Sequence, residues 1–201
     1  MKKTLWTAAL AAGFLGIAPA AQAGSDCDPG KDGAALTFEE AQTVYDCIAD
    51  GLHKGYMKGK KRWIPEEYVS DYRNWTIANT LPANPGFHGG RFLLTWVNAA
   101  GAEEYLKYKD EDVHIPAGTV IAKESFAVTE KGKVKKGPLF IMEKVAAGKS
   151  PETDDWYYMM VAPNGAPQAV PVIKACSECH QGNFGHQGGL GYPAEDVRIP
   201  Q

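Results

Sequence analysis

Apolar residues recur along this chain with two different periods, and the change of period organises it. Phe38, Ala41, Tyr45, Ile48 and Leu52 succeed one another at three- and four-residue steps, which is one face of a helix. Thr37 and Glu40 stand at its start with capping-box spacing. Gly51 to Lys61 is rich in glycine and lysine and reads as a connector. Pro65, Glu66 and Glu67 then open a short helical turn that ends near Arg73, with proline and acids where a helix N-terminus favours them. Beyond the proline- and glycine-rich loop Leu81–Gly90, the period shortens to that of strands. Arg91 to Asn98 is dense in branched and aromatic residues. Ala102 to Lys109 has room for one or two helical turns, and Asp110 to Gly118 is a polar loop. Thr119 to Thr129 alternates, with Val120, Ala122, Glu124, Phe126 and Val128 on one face and Ile121, Lys123, Ser125 and Ala127 on the other. Glu130–Lys133 turns the chain into a strand at Leu139–Val145. Asp155–Ala162 is the last strong strand, and Pro163-Asn164-Gly165 turns out of it. The glycine-rich tail from Gln181 is expected to wrap the surface. Strands that run consecutively predict an α+β protein with a predominantly antiparallel sheet, an N-terminal helix and a C-terminal helix.

The first 23 residues read differently. Lys2 and Lys3 precede an apolar run from Leu5 to Ala18, and Ala21-Gln22-Ala23 offers a signal-peptidase site. Cleavage after Ala23 predicts export to the periplasm and removes two lysines, taking the formal net charge of the 201-residue chain from −3 to −5. That leaves an N-terminal arm and helix over 24–62 and a main domain over 63–201. The modest acidic charge gives no basis for a nucleic-acid or membrane partner.

Export bears on the four cysteines. Cys176-Ser177-Glu178-Cys179-His180 is C-x-x-C-H, the attachment signature for c-type haem. Two thiols add to the vinyl groups on one porphyrin edge, and the neighbouring imidazole reaches the iron. On a helical turn the three side chains share a face. A disulfide loop or a zinc half-site would use the same spacing, but no second C-x-x-C or paired histidine cluster completes zinc. The expectation is one covalently bound haem c, with Cys176 and Cys179 holding the ring and His180 the iron. Cys27 and Cys47 lie in the arm and in the first helix, and export favours a structural disulfide between them. The commonest small cytochrome c plan is excluded: it is helical, carries its motif near the N-terminus and supplies a later methionine. Here the motif comes after the strands and no methionine lies downstream.

Three blocks in this order resemble the cytochrome P-460 family: Tyr72-Arg73-Asn74-Trp75, Ala117 to Glu124 (AGTVIAKE), and Cys176 to His180. The resemblance covers residues 63–181. It implies a sheet-rich, exported, homodimeric haem protein. In the family's enzymes a lysine is cross-linked to the haem ring and hydroxylamine is oxidised. In its relatives, the beta-type cytochromes c-prime, the link is absent and a five-coordinate haem binds nitric oxide or carbon monoxide. The lysine position falls on Lys123. By its own pattern Lys123 is either a solvated lysine on an outward face or a desolvated amine with a lowered pKa.

Hydroxylamine oxidation releases protons, so a carboxylate near the iron would act as base. Glu143 is the candidate, on the face of its strand shared with Leu139, Ile141 and Val145; the alternative is the edge of a solvated face. Arg91, at a strand start, is a candidate for holding an anion or nitrogen oxide, or else a surface charge. His88, His114, Met159 and Met160 are candidate sixth ligands, although the histidines lie in loops and the methionines in a core-like strand. Phe87, Phe92 or Phe126 would cap an apolar gas pocket. Three functions are compatible with these residues: a hydroxylamine-oxidising enzyme passing electrons to a periplasmic carrier, a nitric-oxide or carbon-monoxide binder, and an electron-transfer cytochrome.

Overall fold

The computed structural model describes residues 26–168 and 173–200. The leader reading of residues 1–23 therefore lies outside the described residues.

Helix α1 (Phe38–Tyr56) begins with the expected reciprocal cap: Thr37 Oγ1 accepts from Glu40 N at 3.3 Å, and Thr37 N donates to the Glu40 carboxylate at 2.9 Å. It does not stop at Gly51, as the connector reading expected, but continues to Tyr56. The reason is packing. A Cβ at Gly55 would meet the Pro163 carbonyl oxygen at 2.1 Å, so the glycine lets the helix close against a turn 108 residues on. The Cys27–Cys47 disulfide is present, with Cα atoms 5.6 Å apart, and pins the arm to α1.

Short helix α2 (Glu67–Ser70) and a 3-10 turn at Tyr72–Asn74 lead into the sheet. The strands are β1 (Thr76–Ile77), β2 (Phe92–Val97), β3 (Val120–Val128), β4 (Val134–Lys136), β5 (Leu139–Lys144), β6 (Trp156–Val161) and β7 (Pro167–Gln168), with the short α3 (Ala102–Tyr105) between β2 and β3. Every pairing is antiparallel, in the order β1-β2-β3-β5-β6-β7, and β4 pairs with the far end of β3. The α+β class with a dominant antiparallel sheet is what the structure shows. The short strands β1, β4 and β7 carry too few residues to register as a period.

Both sheet faces are covered, which is why β2 is buried along its whole length. Val120, Ala122 and Phe126 of β3 join Leu94, Ile141 and Val161 against Ile48 and Leu52 of α1. On the opposite face Ile121, Met142 and Tyr158 form a second cluster with Tyr105 and Leu190 of the tail. The tail does more than wrap the surface: Leu190 and Val197 are fully buried, and Thr80 N and Ile199 N pair with Val197 O and Ala78 O. The two faces of β3 thus have different neighbours, helix on one side and cavity and tail on the other. No helix among the described residues is long and apolar enough to cross a membrane.

Candidate haem site

A single-turn π helix (Ile173–Ser177), which carries Cys176, runs directly into α4 (Glu178–Phe184), which carries Cys179 and His180. Cys176 and Cys179 are free thiols there. Both line a cavity of about 250 Å³, together with His180 from α4, Lys123 and Ile121 from β3, Phe140 and Met142 from β5, Tyr158 from β6, and Phe87 and His88 from the loop before β2.

His180 is 6% exposed, and its Nδ1 lies 2.6 Å from the Gly189 carbonyl oxygen. That bond makes Nδ1 the protonated nitrogen and leaves Nε2 as the ligating one. Burial first, and the Lys123 charge second, push the imidazole down to about 4, which keeps it in the neutral form that binds metals. Two free thiols, a ligating nitrogen and an otherwise apolar wall in one cavity fit a covalently attached haem. They do not fit zinc, and no group of three or more metal-ligating side chains occurs among the described residues.

Lys123 is 6% exposed, and its Nζ donates to Gly191 O at 2.8 Å. Desolvation pushes it down to about 8, so the neutral amine is within reach near neutral pH. The solvated alternative for this lysine is wrong: its strand face holds the cavity. The adjacent Glu124 points the other way and is 1% exposed. It accepts from Arg73 Nε at 2.6 Å and Nη2 at 3.0 Å, from Tyr45 Oη at 3.0 Å, and from Tyr72 Oη. Burial and this carboxylate hold both tyrosines far above the usual phenol range, so they remain donors. The Tyr-Arg block and the Lys-Glu block are therefore physically joined, Glu124 fixing β3 while Lys123 faces the site.

The remaining candidates separate. Glu143 pairs opposite Val120 in the β3–β5 register and so faces the helix side. Its carboxylate lies beside Tyr68, which burial and then Glu143 push up to about 12. Reading it as the base at the iron is corrected, because β5 presents Phe140 and Met142 to the cavity instead. Arg91 is half-buried just ahead of β2; it does not line the cavity, but its charge acts on His88. Phe92 and Phe126 stack on each other at 5.1 Å in the helix-side core and cap nothing, whereas Phe87 does line the cavity. His114 is exposed, and Met159 is a core residue whose atoms touch the cavity floor. His88, whose loop position suggests a solvent histidine, is on the cavity wall. Only the fold of the loop could have shown this.

Comparison with curated proteins finds no match. The family model described as Cytochrome P460 matches residues 69–187, more than half of the 201 residues, and takes in all three sequence blocks. The chain belongs to the cytochrome P460 family and is accordingly a c-type cytochrome with covalently bound haem and iron.

Proposed function

We propose that this protein is an exported P460-type oxidoreductase that oxidises hydroxylamine and passes the electrons to a periplasmic carrier. The observation that supports this reading is Lys123: a buried amine, depressed toward neutrality, on the wall of the cavity that Cys176, Cys179 and His180 define. When bound, the haem supplies an iron that accepts electrons and takes a nitrogen ligand. Cys176 and Cys179 hold the ring, and His180, oriented by Gly189, holds the iron from one side. A tether from Lys123 to the macrocycle would exchange an Nζ–H and a ring C–H for an N–C bond, its two protons and two electrons leaving to an external two-electron oxidant such as a peroxide, and it would distort the ring and shift its electronics. Apolar side chains of β3, β5 and β6 exclude water from the ring face. With Glu143 on the far side of the sheet, His88 is the remaining neutral nitrogen base on the wall.

Peptide mapping of the holoprotein tests the tether. A haem peptide that includes Lys123 as well as Cys176–His180 is the expected result. Lys123→Ala should keep its haem through both thioethers and lose at least a hundredfold in hydroxylamine turnover. Recovery of Lys123 in an unmodified peptide would shift the reading to a gas-binding haem protein.

A further inference from the structure

We infer that His88 is the second axial ligand of the haem iron in the resting protein, opposite His180. The proposal goes beyond the hydroxylamine reading and does not rest on it.

The first support is a distance. The rings of His88 and His180 have centroids 6.2 Å apart with an 82° interplanar angle. Two imidazoles on one metal, each nitrogen about 2 Å from it, place their ring centres roughly 6 to 6.5 Å apart whatever the twist between the rings. A distal histidine that only hydrogen-bonds an iron-bound molecule would have to stand farther off. Edge-to-face packing also spans this distance, but the two rings are held from different walls. His180 packs on Tyr158 at 5.2 Å and Phe184 at 5.8 Å, whereas His88 packs on Phe140 at 4.3 Å. Among the described residues no protein group hydrogen-bonds the His88 ring, so its nitrogens are free for a metal.

The second support is backbone strain. His88 has φ +54°, a left-handed conformation that costs a non-glycine residue about 1–2 kcal/mol. It persists because the loop is over-determined. Gly86, Gly89 and Gly90 also have positive φ, and Asn84 spans them, accepting from Gly86 N at 2.9 Å and donating to Gly90 O at 2.9 Å. Phe87 meets Phe184 of α4 edge-on at 5.1 Å, tying the loop tip to the helix that carries His180. Strain of this kind, aimed into a site, marks a functional constraint.

Ligation at rest means that an incoming nitrogen ligand must exchange with His88, which becomes a free base only once displaced. The test is spectroscopic, on the ferric holoprotein as isolated. Low-spin iron with the near-infrared charge-transfer band of bis-histidine ligation is expected. The ferric iron of His88→Ala should become high-spin, and cyanide should bind it at least tenfold faster than wild type. A high-spin wild-type protein would overturn the proposal, as would a histidine–lysine or histidine–methionine band or a low-spin state that survives the substitution. The wild-type spectrum decides the question even if His88→Ala folds poorly, and peptide mapping of Lys123 is indifferent to the outcome.

Discussion

Consecutive residues of β3 illustrate how alternation assigns unlike tasks to neighbours in sequence. Glu124 is buried in a polar cluster with Arg73, Tyr45 and Tyr72, and removing one partner of a buried charge pair is costly because the other is stranded. Arg73→Ala should lower unfolding free energy by about 3 kcal/mol, read as a lower urea midpoint. Its Soret spectrum should match wild type, since the cluster lies across the sheet from the cavity. A spectral change as large as the stability change would mean that the two faces are not independent. The period-two pattern is enough to place Lys123 and Glu124 on opposite faces, and Glu143 on the face of Ile141. It does not say which face holds the haem. That depends on where the chain returns after β6, a tertiary fact, and this is why alternation leaves Lys123 undecided between solvent and cavity and puts forward Glu143, which lies across the sheet from the cavity.

Among elements, the errors and successes have the same origin. α1 is readable where its own residues determine it, at the Thr37–Glu40 cap and along the apolar stripe. Its C-terminal turn is not readable, because Gly55 answers to Pro163 and not to its neighbours in sequence. The loop carrying His88 is recognisable as irregular from its glycines and prolines, but loop composition does not reveal that a side chain points inward. α3 shows a local device with a pH signature. Glu104 accepts from Lys109 Nζ at 2.7 Å, Lys107 Nζ at 2.9 Å and His114 N at 3.3 Å, clamping the loop between α3 and β3. The Lys109 and Lys107 bonds hold its carboxyl down to about 2. An unfolded glutamate titrates near 4.3, so the folded state gains stability from Glu104 above that value and loses it as pH falls from about 4.5 toward 2. Glu104→Gln should flatten the acid limb of the stability profile over that window and leave stability near pH 7 lower than wild type. An unchanged acid limb would show that Glu104 is not clamping the loop.

At the level of the whole molecule, the site is closed by the tail that follows α4. Gly189 O orients His180 and Gly191 O receives Lys123, so both key nitrogens are anchored on the same three residues of the tail. Those residues are held in turn by the segment that ends the chain. Val197 is fully buried beside β1, Thr80 N donates to Val197 O at 2.8 Å, and Arg198 lies 5.0 Å over the Tyr108 ring and 5.7 Å over Tyr192. A chain ending at Pro193 retains every haem-attaching residue, so it should keep its haem through Cys176 and Cys179. It loses the burial of Val197, worth about 1.5–3 kcal/mol, and with it the anchor of the 189–191 stretch. In the intact protein, Soret and far-ultraviolet transitions in urea should coincide, because the site opens only when the sheet does. In the shortened protein the Soret change should come first, at lower urea, as the tail lifts and frees His180 before the strands separate. Coincident transitions at a merely lower midpoint would show that the tail stabilises the fold without holding the haem ligand in place.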